Sequence, residues 1–147
     1  MSDRLTYDTN VLIRYDTEIL TEPAYLSAVV VQELTAGAKD LAFANQLRVW
    51  GKGYQDRDRL LVPTGEDWWM AGKILWALRN GMRSHRYGRV GAISKEEQQR
   101  IVRDVLIART AQRVHAAVVT ENVSDFRKIR RCNVKVLKAS DYFGPPS

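Results

Sequence analysis

Two acidic residues stand where buried strands are expected to end. Asp8 follows a short apolar run at residues 5–7, and Asp125 comes shortly after a second run at residues 116–120. Burying an unpaired carboxylate costs free energy, so an acid at such a position is rarely there for stability. Carboxylate oxygens are the ligands that hard divalent cations prefer. The two acids therefore indicate a metal site.

Two further acids lie on helix faces that should pack against a sheet. Asp104 has Ile101, Ile107 and Ala108 one turn away, so it shares the apolar stripe of its helix rather than the polar stripe that carries Arg103. Glu33 is similarly surrounded by apolar and small residues at helical spacing. The four acids are therefore candidates for a single pocket.

Four carboxylates in one pocket repel each other, and without a cation at least one of their pKa values should rise. A divalent ion removes this conflict. The chain has only two histidines, His85 and His115, and one cysteine, Cys132, so it offers no cluster of the soft ligands typical of zinc sites. Ligation by oxygen alone favours Mg²⁺, with Mn²⁺ able to substitute.

The segments that must position these acids alternate between strand and helix patterns. Thr64 and Ser94 are expected helix N-caps, the second in a capping box with Glu97. We predict strands at residues 5–8, 24–29, 60–63, 116–120 and 134–137, and helices at residues 9–15, 30–49, 64–81 and 94–114.

Strands separated by helices predict an α/β fold, with a mainly parallel central sheet of about four to five strands flanked by helices. In such sheets ligands bind at the carboxyl ends of the strands, where Asp8 and Asp125 fall. At 147 residues the chain is expected to form one domain over residues 1–143, followed by a disordered tail at residues 144–147.

The chain carries a formal net charge of +6, and its positive charge is concentrated in two segments. One lies at residues 79–91 and includes Arg83, Arg86 and Arg89; the other includes Arg127 and Lys128, close to Asp125. The guanidinium group suits phosphate binding and base stacking. With acids close by, these residues predict contacts to nucleic acid.

No apolar run approaches the roughly 18 residues of a membrane span, and no secretory signal is recognisable. We therefore expect a cytoplasmic protein without membrane contact. Trp69, Lys73 and Trp76 fall on one helical stripe, a spacing typical of a core face. Trp68 and Trp69 are adjacent and cannot both face the same way, so one of them is expected to be exposed or in an interface.

Four motifs together resemble those of PIN-domain proteins, specifically the VapC-type toxins of bacterial toxin–antitoxin pairs. They occur in the family's order and span most of the chain. They are residues 7–13 (Tyr-Asp-Thr-Asn-Val-Leu-Ile), residues 26–34 from Leu-Ser to Glu-Leu, residues 104–108 (Asp-Val-Leu-Ile-Ala) with Ala111, and residues 119–122 (Val-Thr-Glu-Asn) with Asp125 and Phe126.

The resemblance implies a Mg²⁺- or Mn²⁺-dependent endoribonuclease that hydrolyses phosphodiester bonds with water and leaves a 5′-phosphate and a 3′-hydroxyl. One or two ions would take part. The implied catalytic and metal-binding residues are Asp8, Glu33, Asp104 and Asp125, and the implied supporting residues are Asn10, Thr120 and Asn122. Some relatives place a ligand at the position of Asn122. The implied partners are an RNA substrate, a cognate antitoxin that covers the acidic pocket and a second copy of the chain.

Two other functions compete with this one. The first is a non-catalytic protein with the PIN fold that binds RNA or serves as a scaffold. Such a protein is expected to have lost at least one of the four acids, and all four are present. A phosphatase of the haloacid dehalogenase type carries Asp-x-Asp-x-Thr after its first strand. Here the sequence reads Asp8-Thr9-Asn10-Val11-Leu12, which lacks both the second acid and the threonine.

Overall fold

Short parallel strands and longer helices alternate along the chain in the computed structural model, which describes residues 4–15, 22–81, 93–129 and 132–144. The strands are β1 (Leu5–Tyr7), β2 (Leu26–Ser27), β3 (Leu60–Leu61), β4 (Ala117–Thr120) and β5 (Val136–Lys138). The helices are α1 (Thr9–Arg14), α2 (Ala28–Ala36), α3 (Leu41–Asp56), α4 (Gly65–Trp76), α5 (Lys95–Arg113), α6 (Val123–Lys128) and α7 (Ala139–Phe143), and a π-helical turn over Ala77–Gly81 continues α4.

The five strands divide into a three-stranded sheet in the order β1-β4-β5 and a two-stranded sheet of β2 and β3, and every pairing is parallel. The Tyr25 N–H donates to the Leu5 carbonyl at 3.1 Å, which joins the two sheets beside β1. The predicted α/β fold with parallel strands and flanking helices is confirmed. The single-domain boundary at residue 143 stays a prediction, and most of the expected tail, residues 145–147, lies outside the described residues.

The single helix predicted at residues 30–49 is wrong, because two helices occupy this region. Gly37 ends α2, and Asp40 begins α3 by accepting a hydrogen bond from the Phe43 N–H at 2.8 Å. Gly51 and Gly53, which follow the predicted end of this helix, lie inside α3, where Gly51 packs against Val31. A glycine is a weak stop signal when its helix is held by tertiary packing, whereas a capping aspartate directly supplies a missing hydrogen-bond acceptor.

The strand predicted at residues 24–29 is shorter than expected, because Ser27 caps α2 by accepting from the Val29 N–H at 3.2 Å. The short helices α6 and α7 were not predicted. Neither has a side-chain cap, and helices of five or six residues show little periodicity. The caps at Thr64 and Ser94 are confirmed, and the full reciprocal capping box belongs to Thr64 and Asp67.

Helix α5 brings Asp104 into the middle of the fold, because it packs against β4, α2, α4 and α6. Its buried face carries Ile101, Val105 and Ala108, and Asp104 lies among them as the sequence predicts. At 19 residues α5 is a long helix, but neither it nor any other helix in the described ranges is apolar and long enough to cross a membrane.

The tryptophan stripe of α4 faces solvent, so the prediction that it forms a core face is wrong. Trp68, Trp69 and Trp76 are 55%, 57% and 61% exposed, and the Lys73 ammonium lies 5.2 Å from the centre of the Trp69 ring. Helix α4 instead packs on α5 through a face that includes Asp67 and Ile74. The aromatic residues are therefore available on the surface.

Candidate metal centre

Asp8 is fixed at the carboxyl end of β1 by the neighbouring strand. Its N–H donates to the Val119 carbonyl at 2.9 Å, which places the Asp8 side chain beside Thr120 at the end of β4. The Thr120 hydroxyl donates to Asp8 Oδ2 at 2.8 Å, and the Thr9 N–H donates to Oδ1 at 2.8 Å. Asp8 therefore caps α1 and also lies at the predicted edge of the sheet.

Asn10 links the two loops that follow β1 and β4. Its amide nitrogen donates to Asp8 Oδ2 at 3.2 Å and to Thr120 Oγ1 at 3.3 Å, while its carbonyl oxygen accepts from the Glu121 N–H at 3.2 Å. Asn122 contributes through its backbone, since its N–H donates to Thr120 Oγ1 at 3.0 Å and its own side chain does not cap α6. The supporting residues thus hold Asp8 in one orientation.

Asp104 projects from α5 into the same region and is only 5% exposed. Burial, and after it the negative charge of Asp8, raises the pKa of Asp104 to about 8. Asp125 and Glu33 raise the pKa of Asp104 further, whereas Arg103 lowers it. Burial also raises the pKa of Asp8, despite the hydrogen bonds from Thr120 and Thr9 that lower it. The three other acids predicted to share the pocket therefore lie within electrostatic reach of Asp104.

Glu33 comes from α2 and is paired with a residue that the sequence did not indicate. Arg103 Nε lies 3.1 Å from Glu33 Oε1, although the two atoms are not aligned for a hydrogen bond. Burial raises the pKa of Glu33, and the charge of Arg103 opposes that shift. Arg103 was expected on the solvent face of α5. Its position directly before the buried Asp104 is the one sequence signal that could have indicated this role.

Four buried side-chain polar atoms in the described ranges lack a hydrogen-bond partner, and three of them lie around these acids. They are Thr9 Oγ1, Glu33 Oε1 and Arg103 Nε. The Thr9 hydroxyl is close enough to lower the pKa of Glu33, but without the alignment of a full hydrogen bond. Buried polar atoms in folded proteins almost always have partners, so this cluster is suited to a polar or ionic ligand.

Asp125 lies on the more open side of the pocket, in the first turn of α6. Its Oδ1 is 3.7 Å from the Lys128 ammonium, which is also 3.9 Å from Glu97. The charge of Asp125 raises the pKa of both Asp8 and Asp104. Asp125 is thus part of the electrostatic cluster, but its negative charge is partly neutralised by Lys128 on the same helix.

The donor set fits a hard cation, since it consists of carboxylate and hydroxyl oxygens. Across the described ranges, however, no three His, Cys, Asp or Glu side chains converge as a ready-made group of metal ligands. Glu33 is turned towards Arg103, and Asp125 lies near Lys128. Glu33 or Asp125 would have to leave its cationic neighbour in order to act as a metal ligand.

The predicted RNA-binding residues are only partly covered by the structure. Arg127 and Lys128 are exposed on α6, next to Asp125. Arg83, Arg86 and Arg89 lie outside the described residues. His115 occupies a left-handed turn with φ of 56° after α5, at the far end of β4 from Thr120, so it is separate from the acids.

A groove of about 940 Å³ runs beside the acids between α2, α4 and α5. Glu33 and Arg103 contribute to its wall, together with Trp68, Leu75, Lys95 and Gln98. The ion pair therefore faces both the acid cluster and an open surface large enough to receive part of a macromolecule.

Neither protein-family models nor curated proteins match the sequence. Similar chains occur in solved structures, and two of these structures serve as examples. In the 2.2 Å structure of VapBC-1 from nontypeable Haemophilus influenzae, the similar chain is 20% identical with a TM-score of 0.55, and the alignment covers 92% of this chain and 98% of that chain. In the structure of FitAB bound to an IR36 DNA fragment, the similar chain is 19% identical with a TM-score of 0.51. The alignment covers 92% of this chain and 94% of that chain.

This chain shares their fold. The alignments extend over nearly the whole length of each chain, so the agreement concerns the complete arrangement of strands and helices rather than one local motif. The α/β fold expected from the sequence is confirmed, and it is the fold of the similar chains in these two structures.

Proposed function

We propose that this protein is a Mg²⁺-dependent endoribonuclease that serves as the toxin of a toxin–antitoxin pair. The observation that carries the proposal is the electrostatic coupling of Asp8, Asp104, Glu33 and Asp125 in a partly buried pocket. The shared fold with chains from the VapBC-1 and FitAB structures supports it.

In the proposed reaction Asp8 is the most firmly oriented carboxylate, because Thr120, Asn10 and the Thr9 N–H hold both of its oxygens. Asp104 stays protonated at neutral pH until a cation approaches, since its pKa is about 8. A Mg²⁺ ion held by these carboxylates would lower the pKa of a bound water molecule and would stabilise the leaving 3′-oxygen. Arg127 and Lys128 hold RNA phosphates near the acids.

The proposed partners follow from the same reasoning. The similar chains come from the structures of VapBC-1 and of FitAB bound to DNA, which supports the antitoxin partner that the resemblance to VapC-type toxins implies. We also propose a homodimer and a cytoplasmic location. The exposed Trp68, Trp69 and Trp76 provide an aromatic surface of the kind enriched in protein interfaces.

Chelation of divalent metal is the direct test of this function. Cleavage of a mixed RNA substrate should fall to background in excess EDTA and return when Mg²⁺ or Mn²⁺ is added, because the carboxylates need a cation to act together. The measurement is the appearance of 5′-phosphorylated fragments over time. Asp8→Asn protein, purified in parallel, controls for contaminating nucleases. Full cleavage in EDTA, or equal cleavage by the Asp8→Asn protein, contradicts the proposal.

The contribution of α6 to RNA binding should be visible in the salt dependence. In an Asp8→Asn background, Arg127→Ala with Lys128→Ala should weaken binding of single-stranded RNA and reduce the slope of log affinity against log salt by about 1.4, since each lost phosphate contact removes about 0.7. The matched control is Arg48→Ala with Lys52→Ala, which removes the same charge from exposed positions on α3. Equal slopes for both double variants would show that α6 makes no specific RNA contact.

A further inference from the structure

Arg103 lies beside the acid cluster with its side chain 37% exposed, and it is a positive charge close to the site where a divalent ion would bind. It follows Val102 and precedes Asp104 on α5, and its guanidinium reaches Glu33 on α2 at 3.1 Å. Its charge lowers the pKa of Asp8, Glu33 and Asp104. One side chain thus offsets the repulsion among three of the four acids.

The ion pair is not a well-made structural salt bridge. Glu33 Oε1 and Arg103 Nε are both buried, yet neither has a hydrogen bond of good geometry. Elsewhere on the same helix, Arg109 Nε lies 2.9 Å from Asp67 Oδ1 and does donate a hydrogen bond to it. A buried pair whose atoms are close but misaligned recovers little of its desolvation penalty, so it can be exchanged for another partner more easily.

We propose that Arg103 is an internal competitor of the metal ion, which holds Glu33 in an ion pair and releases it as a ligand only when a divalent cation binds. This inference rests on the proposed function and concerns the regulation of the same site. In the metal-free protein Arg103 keeps the acids compatible with folding. When the ion arrives, the Glu33 carboxylate turns from the guanidinium to the metal. The metal affinity of the protein is therefore set lower than its four carboxylates alone would give.

The decisive experiment measures Mn²⁺ binding by titration calorimetry, with no RNA present. Arg103→Gln should bind Mn²⁺ about tenfold more tightly than the parent protein, because a positive charge and a competing partner are both removed. Arg103→Lys keeps the charge and should stay near the parent affinity. Arg100→Gln is the matched control, since it removes the same charge from an exposed position one turn earlier on α5, and it should change the affinity less than threefold.

A double-mutant cycle separates the ion pair from a general effect of charge. In a Glu33→Gln background, Arg103→Gln should give a much smaller gain in Mn²⁺ affinity, since the carboxylate that Arg103 withholds is already absent. An undiminished gain in that background, or equal gains from Arg103→Gln and Arg100→Gln, overturns the inference. Either result leaves the nuclease proposal standing, because the parent protein still binds the metal.

Thermal unfolding gives a second readout. Arg103→Gln should melt below the parent in EDTA, because the acids repel without their internal cation, and should show a larger rise in Tm on addition of Mn²⁺. Failure of this variant to fold even with Mn²⁺ would assign Arg103 a structural role and overturn the inference. Absence of Mn²⁺ binding in the parent and in every variant would instead remove the metal-dependent function itself, and the competitor role with it.

Discussion

Asp104→Asn is expected to abolish RNA cleavage while stabilising the metal-free protein at alkaline pH. Loss of one of the four proposed metal ligands should reduce the rate by about 10³-fold, since the proposed metal ion would supply several kcal/mol of transition-state stabilisation. The substitution should not disrupt the fold, because the amide has almost the same shape as the carboxyl group it replaces. Cleavage rate and urea unfolding in EDTA, measured on the same preparation, test both parts.

The pH dependence follows from the raised pKa of Asp104, which burial and then the charge of Asp8 bring to about 8 from an ordinary value of 3.8. An acid whose pKa is raised by folding binds its proton more tightly in the native state. Its contribution to stability is therefore fully present below about pH 4 and is lost as the pH rises to about 8. Asp104→Asn removes this loss. The free energy of unfolding of the variant should therefore exceed that of the parent increasingly between about pH 5 and 9, by up to several kcal/mol.

The exposed Asp56→Asn change on α3 is the control, because it removes the same charge outside the pocket. Its stability should follow that of the parent across the pH range. If Asp104→Asn melts well below the parent at pH 8 in EDTA, the carboxyl group has a structural function that the present geometry does not show. If the variant keeps full cleavage activity, Asp104 is not part of the reactive site.

Asp67→Asn is expected to be the most destabilising conservative change in the described residues, at about 3 kcal/mol, because it breaks a buried ion pair on one side only. Asp67 is fully buried and accepts hydrogen bonds from Arg109, Arg113 and the Thr64 N–H. It joins the start of α4 to the end of α5. Urea unfolding at pH 7 measures the effect.

Burial acts to raise the pKa of Asp67, but the hydrogen bonds from Arg113, the Thr64 backbone and Arg109 outweigh it and lower the pKa to about 2. Its stabilising effect is therefore present above about pH 4 and is lost as the pH falls through 2. Thr64→Ala removes only the cap and should cost about 1 kcal/mol. Equal losses from the two variants would show that the arginines contribute nothing beyond capping.

The parts of the fold and site that could be predicted are those that depend on local pattern. The apolar neighbours of Asp104 place it on the buried face of its helix, and the strand before Asp8 places that acid at the sheet edge. Both signals follow from the periodicity of a single element. The same holds for the helix starts at Thr64 and Ser94, whose caps need only their own first turn.

What could not be predicted depends on contacts between elements. Arg103 belongs to the polar stripe of α5 by spacing, and only the packing of α2 beside α5 brings Glu33 within its reach. The tryptophans of α4 have core-like spacing, but the face that is buried carries Ala71, Ile74 and Asp67. Asp67 pairs there with two arginines 42 and 46 residues away. Long-range ion pairs leave no periodic signal in one sequence.

The pairing of β1 with β4 has a consequence for the order of events during synthesis. Asp8 and its hydrogen-bond donor Thr120 are 112 residues apart in the chain. The first strand therefore emerges from the ribosome long before the strand that orients its acid, and closing so long a loop is slow. Asp104 and Asp125 are also made in the last third of the sequence. The acids and the groups that orient them therefore come together only when translation of the chain is nearly complete.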